Sequence, residues 1–286
     1  APDAFVARDK IAALKPDVLT LDIEMPRMDG LTFLKRLMHF HPLPVIVISS
    51  LGQSSCRVAI EALGSGAVEV LPKPGGPYSV ADLRAGLGLK IRAAAHARTI
   101  RGTAGPPLTA APPRAGARER NSSWPPRSLI AIGASTGGTE AIQQVLTRLP
   151  ADVPGVVITQ HIPAGFSRAF ANRLNEICPM AVREAADGDR VEAGLALIAP
   201  GNLHMRVENS GQGYRVSVRD GPPVCYQRPS VDVLFRSAAR YSGKNAMGIL
   251  LTGMGDDGAA GLLEMKQAGA STVAQNEQTC VVFGMP

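Results

Sequence analysis

Apolar and polar positions follow two different periods along the first hundred residues. The short apolar runs DVLTLD, PVIVISS and AVEVLPKP are rich in β-branched residues, which predicts buried strands. Between them, GLTFLKRLMHF and RVAIEALGSG repeat apolar residues at intervals of three and four, as helices do, and the second carries a glycine C-cap. Strands and helices that alternate at this length predict parallel β–α–β units.

The same alternation returns in the second half of the chain. SLIAIG and GVVITQ predict strands, TEAIQQVLTRL and FSRAFANRLNEI predict helices, and the apolar run Ala246–Leu251 predicts a further buried strand. We therefore expect a second, doubly wound and mainly parallel α/β domain.

A segment rich in proline, alanine and glycine, RGTAGPPLTAAPPRAGARERNSSWPPR, separates the halves and has the composition of a flexible linker. It predicts an N-terminal domain over residues 1–97, a linker over 98–126 and a C-terminal domain over 127–286. Of the net charge of +6, the stretch between Arg84 and Arg127 carries +8, from nine basic residues and one acid, so the rest carries about −2. Because Trp124 is its one aromatic residue, a solvated linker is favoured over a nucleic-acid arm.

Several classes of protein are excluded by composition. The sequence contains no run of eighteen apolar residues, so it predicts no membrane-spanning helix. The first residues carry no secretory signal and no initiator methionine, which suggests a piece of a longer chain. The four cysteines form no Cys-x-x-Cys pair, which argues against a zinc site or a disulfide framework and favours a reducing cytoplasm.

Three polar residues end successive strands of the first domain: Asp22, Ser49 and Lys73. A carboxylate, a hydroxyl and an ammonium at one sheet edge are the groups a phosphorylated aspartate needs. LDIEMPRMDG, VISS and LPKP, in this order, resemble the receiver domain of two-component response regulators. The resemblance implies a flavodoxin-like fold in which Asp22 is phosphorylated, Ser49 is the switch hydroxyl and Lys73 is the partner cation.

One part of the receiver pattern is missing from this sequence. Receivers bind Mg²⁺ through an acidic pair after their first strand, and no strand ending in two acids precedes Asp22. By comparison with that family, the first strand, first helix and most of the second strand are absent. We therefore expect Mg²⁺ to serve phosphorylation only in a complete receiver.

The glycine-rich turn GASTGG opens the second domain and admits two interpretations. Such a turn can cradle a phosphate, but it matches neither Gly-x-Gly-x-x-Gly nor the Walker pattern, and the next strand ends in Gln160 and His161 rather than an acid. GASTG does match the nucleophile elbow Gly-x-Ser-x-Gly, which exposes the hydroxyl of Ser135. A serine nucleophile needs a base, and His161 ends the neighbouring strand.

The remaining members of a triad come from later in the chain. A histidine base needs a carboxylate, and LLTGMGDDGA supplies Asp256 and Asp257 after a buried strand. We expect Asp257 to face inward and Asp256 to lie near the helix start, although either acid could simply cap that helix. His204 is either a substrate-side residue or, as we favour, a half-exposed strand position.

IGASTGG, QHIPAGF, DGPPV with RPSVDVLF, and LLTGMGDDGA resemble the catalytic domain of the chemotaxis protein-glutamate methylesterases, in that family's order and behind a receiver. The resemblance implies that Ser135, His161 and Asp257 hydrolyse γ-glutamyl methyl esters of chemoreceptors, and also deamidate receptor glutamines. Backbone amides of Thr136, His161 and Met254 are the candidate oxyanion donors. Hydrolysis needs no cofactor, and a chemotaxis histidine kinase is the implied phosphodonor.

Two other functions stay open from the sequence. A phosphorylation-controlled binding module would keep Asp22 but would not need the three triad residues together. A nucleotide-dependent oxidoreductase would use the glycine turn for a pyrophosphate.

Overall fold

The computed structural model describes residues 1–75, 80–97, 124, 125 and 127–286. The chain divides into two compact units, Ala1–Gly105 and Pro106–Pro286. The division falls inside the linker expected at residues 98–126, of which all but 124 and 125 lie outside the described residues. Among the described helices, none combines the length and apolar character that a transmembrane span requires.

The N-terminal unit contains a parallel three-stranded sheet in the order β1-β2-β3. Its first two helices begin at aspartates, Asp3 and Asp29, whose carboxylates accept hydrogen bonds from the exposed amides of the first turn. The elements in chain order are α1 (Ala4–Leu14), β1 (Leu19–Asp22), α2 (Gly30–Phe40), β2 (Val45–Ser49), α3 (Gln53–Gly64), β3 (Glu69–Pro72) and α4 (Val80–Ala95).

The C-terminal unit is built on a six-stranded, all-parallel sheet in the order β12-β11-β4-β5-β8-β6. The elements that form and flank this sheet are β4 (Leu129–Ala134), α5 (Gly138–Leu146), β5 (Gly155–Gln160), α6 (Phe166–Ile177), β6 (Ala181–Glu184), β8 (Leu195–Ile198), α7 (Val231–Ser242), β11 (Ala246–Leu250), α8 (Ala259–Gln267) and β12 (Ser271–Ala274).

Every residue of the central strands β4 and β5 is buried. Because successive side chains of a strand point to opposite faces, complete burial means that both faces of the sheet are covered. Helix α7 packs on one face, where its Val231 lies against Gly133. The doubly wound, mainly parallel architecture expected from the sequence is therefore confirmed.

A second sheet of the C-terminal unit was not predicted. Strands β7 (Arg190–Val191), β9 (His204–Asn209) and β10 (Tyr214–Arg219) form an antiparallel sheet in the order β7-β10-β9. Its buried residues Met205, Val207 and Val216 join the same hydrophobic core as α7. The antiparallel sheet therefore packs against α7.

Candidate active site

Three neighbouring strands bring the predicted triad to one edge of the sheet. Ser135 follows β4 and His161 follows β5, whose last residues Ala134 and Gln160 are paired in register. Asp257 lies in the loop between β11 and α8, and β11 is the other neighbour of β4. Since all three strands are parallel, their carboxyl ends meet at the same edge.

His161 is oriented by a short hydrogen bond. Its Nε2 lies 2.7 Å from Oδ2 of Asp257, and both side chains are buried. Because a carboxylate only accepts hydrogen bonds, Nε2 carries the proton and Nδ1 is left as the basic nitrogen. Nδ1 is buried and has no hydrogen-bond partner among the described residues. The ring therefore keeps one nitrogen available to take a proton from a neighbouring hydroxyl.

Asp257 is held at the N-terminus of α7. Besides His161, its carboxylate accepts hydrogen bonds from the hydroxyl of Ser230 at 2.7 Å and the amides of Val231 and Asp232 at 2.7 and 3.0 Å. Burial alone would raise the pKa of Asp257, but the contact with His161 and these donors outweigh it and lower the pKa. The helix dipole also favours a negative charge here. No sequence motif pointed to this role of Ser230.

The nucleophile turn depends on two glycines. Gly137 has a φ of +77°, in the left-handed region, and a side chain there would collide with Val281. Gly253 approaches Ser135 so closely that a Cβ on it would lie 2.7 Å from the serine Cβ. The amide of Ser135 donates to the carbonyl of Thr252 at 3.0 Å, which ties this turn to the loop after β11.

Gln160 connects the nucleophile and the base, a role that no sequence motif indicated. Its Nε2 donates to the carbonyl of Ser135 at 2.8 Å and to that of His161 at 3.2 Å. The side chain is buried directly under the turn, where a Cβ on Gly138 would lie 2.1 Å from its Oε1. One amide group thus fixes the backbone of both residues.

The three candidate oxyanion donors differ in their hydrogen bonding. The amide of His161 donates to the carbonyl of Ala134 at 3.0 Å, so it is engaged in the sheet rather than directed at a substrate. This corrects its proposed part in an oxyanion site. The amide of Met254 donates to no acceptor in the described part of the chain, so it stays a candidate donor. Thr136 stays a candidate because it directly follows the nucleophile, Ser135.

The structure also places Asp256 and His204, the two other candidates near the site. Asp256 is exposed while Asp257 points inward to His161. His204 occupies a strand position, but it is buried rather than half-exposed, which corrects the expectation. Its Nε2 donates to the carbonyl of Pro222 at 3.0 Å, and its Nδ1 accepts from the amide of Ser230 at 3.3 Å. It supports the residue that holds Asp257.

In the N-terminal unit, Lys73 joins two carboxylates. Its Nζ lies 2.9 Å from Asp22 and 3.1 Å from Glu24. Burial alone would lower the pKa of Lys73, but the hydrogen bonds to these two acids outweigh burial and raise the pKa. The hydroxyl of Ser49 is not bonded to Asp22; it lies 3.4 Å from the carbonyls of Ser50 and Ser55. The part played by Glu24 was not predicted from the sequence.

The residues around Asp22 do not complete a magnesium site. Oδ1 of Asp22 accepts from the amide of Glu24 and Oδ2 faces Lys73. Among the described residues, no group of three or more possible metal ligands includes Asp22. Mg²⁺ prefers six oxygen ligands, several from carboxylates and water, so this edge supplies too few.

One group of possible metal ligands occurs in the described residues, formed by Cys225, Asp232 and Asp257. The Asp257 oxygens already accept four hydrogen bonds, and Oδ1 of Asp232 accepts from the amides of Gly258 and Gly261. These carboxylates therefore serve the protein's own hydrogen-bond network.

Comparison with known proteins gives a family match for each of the two units. Residues 130–286 match the CheB methylesterase family, and residues 1–83 match the response regulator receiver domain. A protein-glutamate methylesterase/protein-glutamine glutaminase of Syntrophus aciditrophicus is 56% identical over 286 residues, covering 100% of this chain and 82% of that protein. One from Salmonella typhimurium is 54% identical over 291 residues, covering 100% of this chain and 80% of that protein.

A solved structure supports the same assignment for the C-terminal unit. The CheB methylesterase catalytic domain of Thermotoga maritima has 34% sequence identity and a TM-score of 0.54, covering 56% of this chain and 85% of that chain. The chain belongs to the CheB methylesterase family, with a response regulator receiver domain ahead of the esterase domain.

Proposed function

We propose that this chain hydrolyses γ-glutamyl methyl esters on cytoplasmic segments of chemoreceptors, releasing methanol and leaving glutamate, under control of its receiver domain. The observation that carries the proposal is the buried pair of His161 and Asp257, at the end of the strand next to the one that Ser135 follows, with the basic Nδ1 of His161 unpartnered among the described residues. The names of the relatives described above support the choice of substrate.

The reaction follows from the roles of the three side chains. Nδ1 of His161 takes the proton of the Ser135 hydroxyl, and the serine oxygen attacks the ester carbonyl. Asp257 stabilises the imidazolium that forms. The amide of Met254, with that of Thr136, supplies hydrogen bonds to the oxyanion. Methanol leaves with the proton from His161, and water then cleaves the acyl-enzyme by the same route.

The same chemistry supports deamidation of receptor glutamines, since only the leaving group changes from methanol to ammonia. Every step uses side chains and backbone of this chain, so we propose that hydrolysis requires no cofactor. We further propose that a chemotaxis histidine kinase donates phosphate to Asp22, with Lys73 neutralising the developing charge and Ser49 acting as the switch hydroxyl.

A methanol-release assay on methylated receptor membranes tests this function. The wild-type chain should release methanol, while Ser135→Ala, folded to the same extent by circular dichroism, should release almost none. Methanol release by Ser135→Ala near the wild-type rate would show that Ser135 is not the nucleophile. No release by the wild-type protein would overturn the proposed substrate.

A further inference from the structure

The loop over residues 220–228 ends in an unusual turn. Val224 and Gln227 exchange two backbone hydrogen bonds, at 3.1 and 2.9 Å, so Cys225 and Tyr226 form its two central residues. Their φ angles are 49° and 61°, both in the left-handed region. Turns with positive φ at both central positions normally contain asparagine or glycine, because larger side chains are strained there.

The base of this loop is fixed by one arginine. The guanidinium of Arg228 donates to Oδ1 of Asn202 at 3.0 and 2.7 Å, to the carbonyl of Gly221 at 2.6 Å and to Asp220 at 2.5 Å. The carbonyl of Arg228 in turn accepts from the amide of Asn202 at 3.1 Å. Both ends of the loop are therefore joined, and its tip is presented in a defined position.

The tip lies beside the catalytic carboxylate. The thiol sulfur of Cys225 is 4.0 Å from Oδ2 of Asp232, and the ligand atoms of Cys225, Asp232 and Asp257 lie within 4.8 Å of one another. The next residue, Tyr226, is 99% exposed. A fully exposed tyrosine contributes little to folding, so folding does not account for its strained backbone. Backbone strain of this kind persists where function requires the geometry.

We propose that Tyr226 is a docking residue for the protein substrate, packing its ring against aliphatic side chains that flank the ester-bearing glutamate. This inference rests on the proposed function. Tyrosine is enriched among the residues that dominate protein interfaces, because its ring offers a large contact area with few rotatable bonds. A small ester has no neighbouring side chains for a docking residue to contact, so comparing it with the receptor separates docking from chemistry.

The test compares kcat/KM on methylated receptor membranes with kcat/KM on a small probe, the γ-methyl ester of N-acetylglutamate N-methylamide. Tyr226→Asn removes the ring and keeps a residue that tolerates positive φ. We expect the ratio of receptor to probe kcat/KM to fall about 30-fold, mainly through KM. Tyr226→Phe should retain the ratio. The control Tyr241→Ala removes another exposed tyrosine, at the end of α7, and should also retain it.

The outcomes separate the two proposals. An unchanged ratio in Tyr226→Asn, with wild type active on the receptor, overturns the docking residue and leaves the proposed function intact. Wild-type protein that cleaves the probe but not the receptor overturns the proposed substrate and the docking role together. Tyr226→Asn should unfold at the same or a slightly higher midpoint, because asparagine tolerates the positive φ, and this excludes loss of folding as the cause of a lower ratio.

Discussion

At the scale of single residues, the contact between His161 and Asp257 ranks the expected effects of substitution. Ser135→Ala and His161→Gln remove the nucleophile and its base, so each should lower kcat on the order of 10⁶-fold. Asp257→Asn leaves the base present but with the wrong tautomer, so a loss of about 10⁴-fold is expected. Methanol release measures all three. Asp256→Asn is the matched control because Asp256 is exposed; a greater loss there than in Asp257→Asn would reverse the choice of acid.

Gln160 should act as a positioning residue. Gln160→Met keeps the side-chain length but removes the donor that holds the carbonyls of Ser135 and His161. We expect kcat to fall about 10- to 100-fold with little change in KM, because a misplaced nucleophile reacts slowly while substrate contacts remain. Gln144→Met, on the exposed face of α5, is the control. A rise in KM with normal kcat would refute the positioning role.

The cysteines should differ in reactivity. Burial raises the pKa of Cys178 to about 11, and burial also raises the pKa of Cys56. Cys225 is exposed, although burial of part of its thiol and the neighbouring carboxylates raise its pKa too. We expect an aromatic disulfide reagent at pH 8 to modify Cys225 first, since access decides between thiols that are all weakly acidic. Mass spectrometry of digested protein checks this, and first labelling of Cys178 would contradict it.

At the scale of elements, the N-terminus of α7 couples pH to stability through Asp257. The pKa of Asp257 is lowered by folding, so its stabilising contribution is complete above the ordinary carboxyl pKa of about 4 and is lost as pH falls through the lower folded value. Asp257→Asn should cost about 1–3 kcal/mol at pH 7. Urea unfolding should show this difference shrinking below about pH 4; a difference that stays constant would argue against the ionised carboxylate.

The helices and parallel strands were predictable because their apolar periods are strong. α2 (GLTFLKRLMHF) and β5 (GVVITQ) have the bounds expected from the sequence. The antiparallel sheet was missed for different reasons. YRVSVR in β10 alternates between apolar and polar residues and could have been recognised, whereas β7 has only two residues and carries no period.

The site was predictable only in part, for a physical reason. Residues at strand ends can be placed together once a parallel sheet is inferred, which located Ser135 and His161. The serine before VDVLF predicts a helix N-cap, but sequence does not show that this helix points at Asp257. In the same way, the hydrogen bonds of Gln160 depend on the packing of two turns, which no periodicity encodes.

At the scale of the whole molecule, we expect the receiver to restrain the esterase. The two units are compact bodies, and a tethered domain changes a rate only when it changes access to the site or its population of active states. A variant chain that begins near Ser122 should therefore release methanol faster than the full chain. The full chain carrying Ser135→Ala serves as the blank. Equal turnover of the short and full chains would show that the receiver does not restrain the esterase and that the linker only connects the two domains.

The order of strands in the large sheet has a consequence for synthesis on the ribosome. β4 carries Ser135 at its end and needs β11 as its neighbour, although β11 is made much later. A growing chain that lacks β11 has the nucleophile without Asp257 and an unpaired edge on β4. The receiver is translated before any of these strands. The receiver is therefore made before the triad can be completed, and a chain interrupted before β11 lacks Asp257.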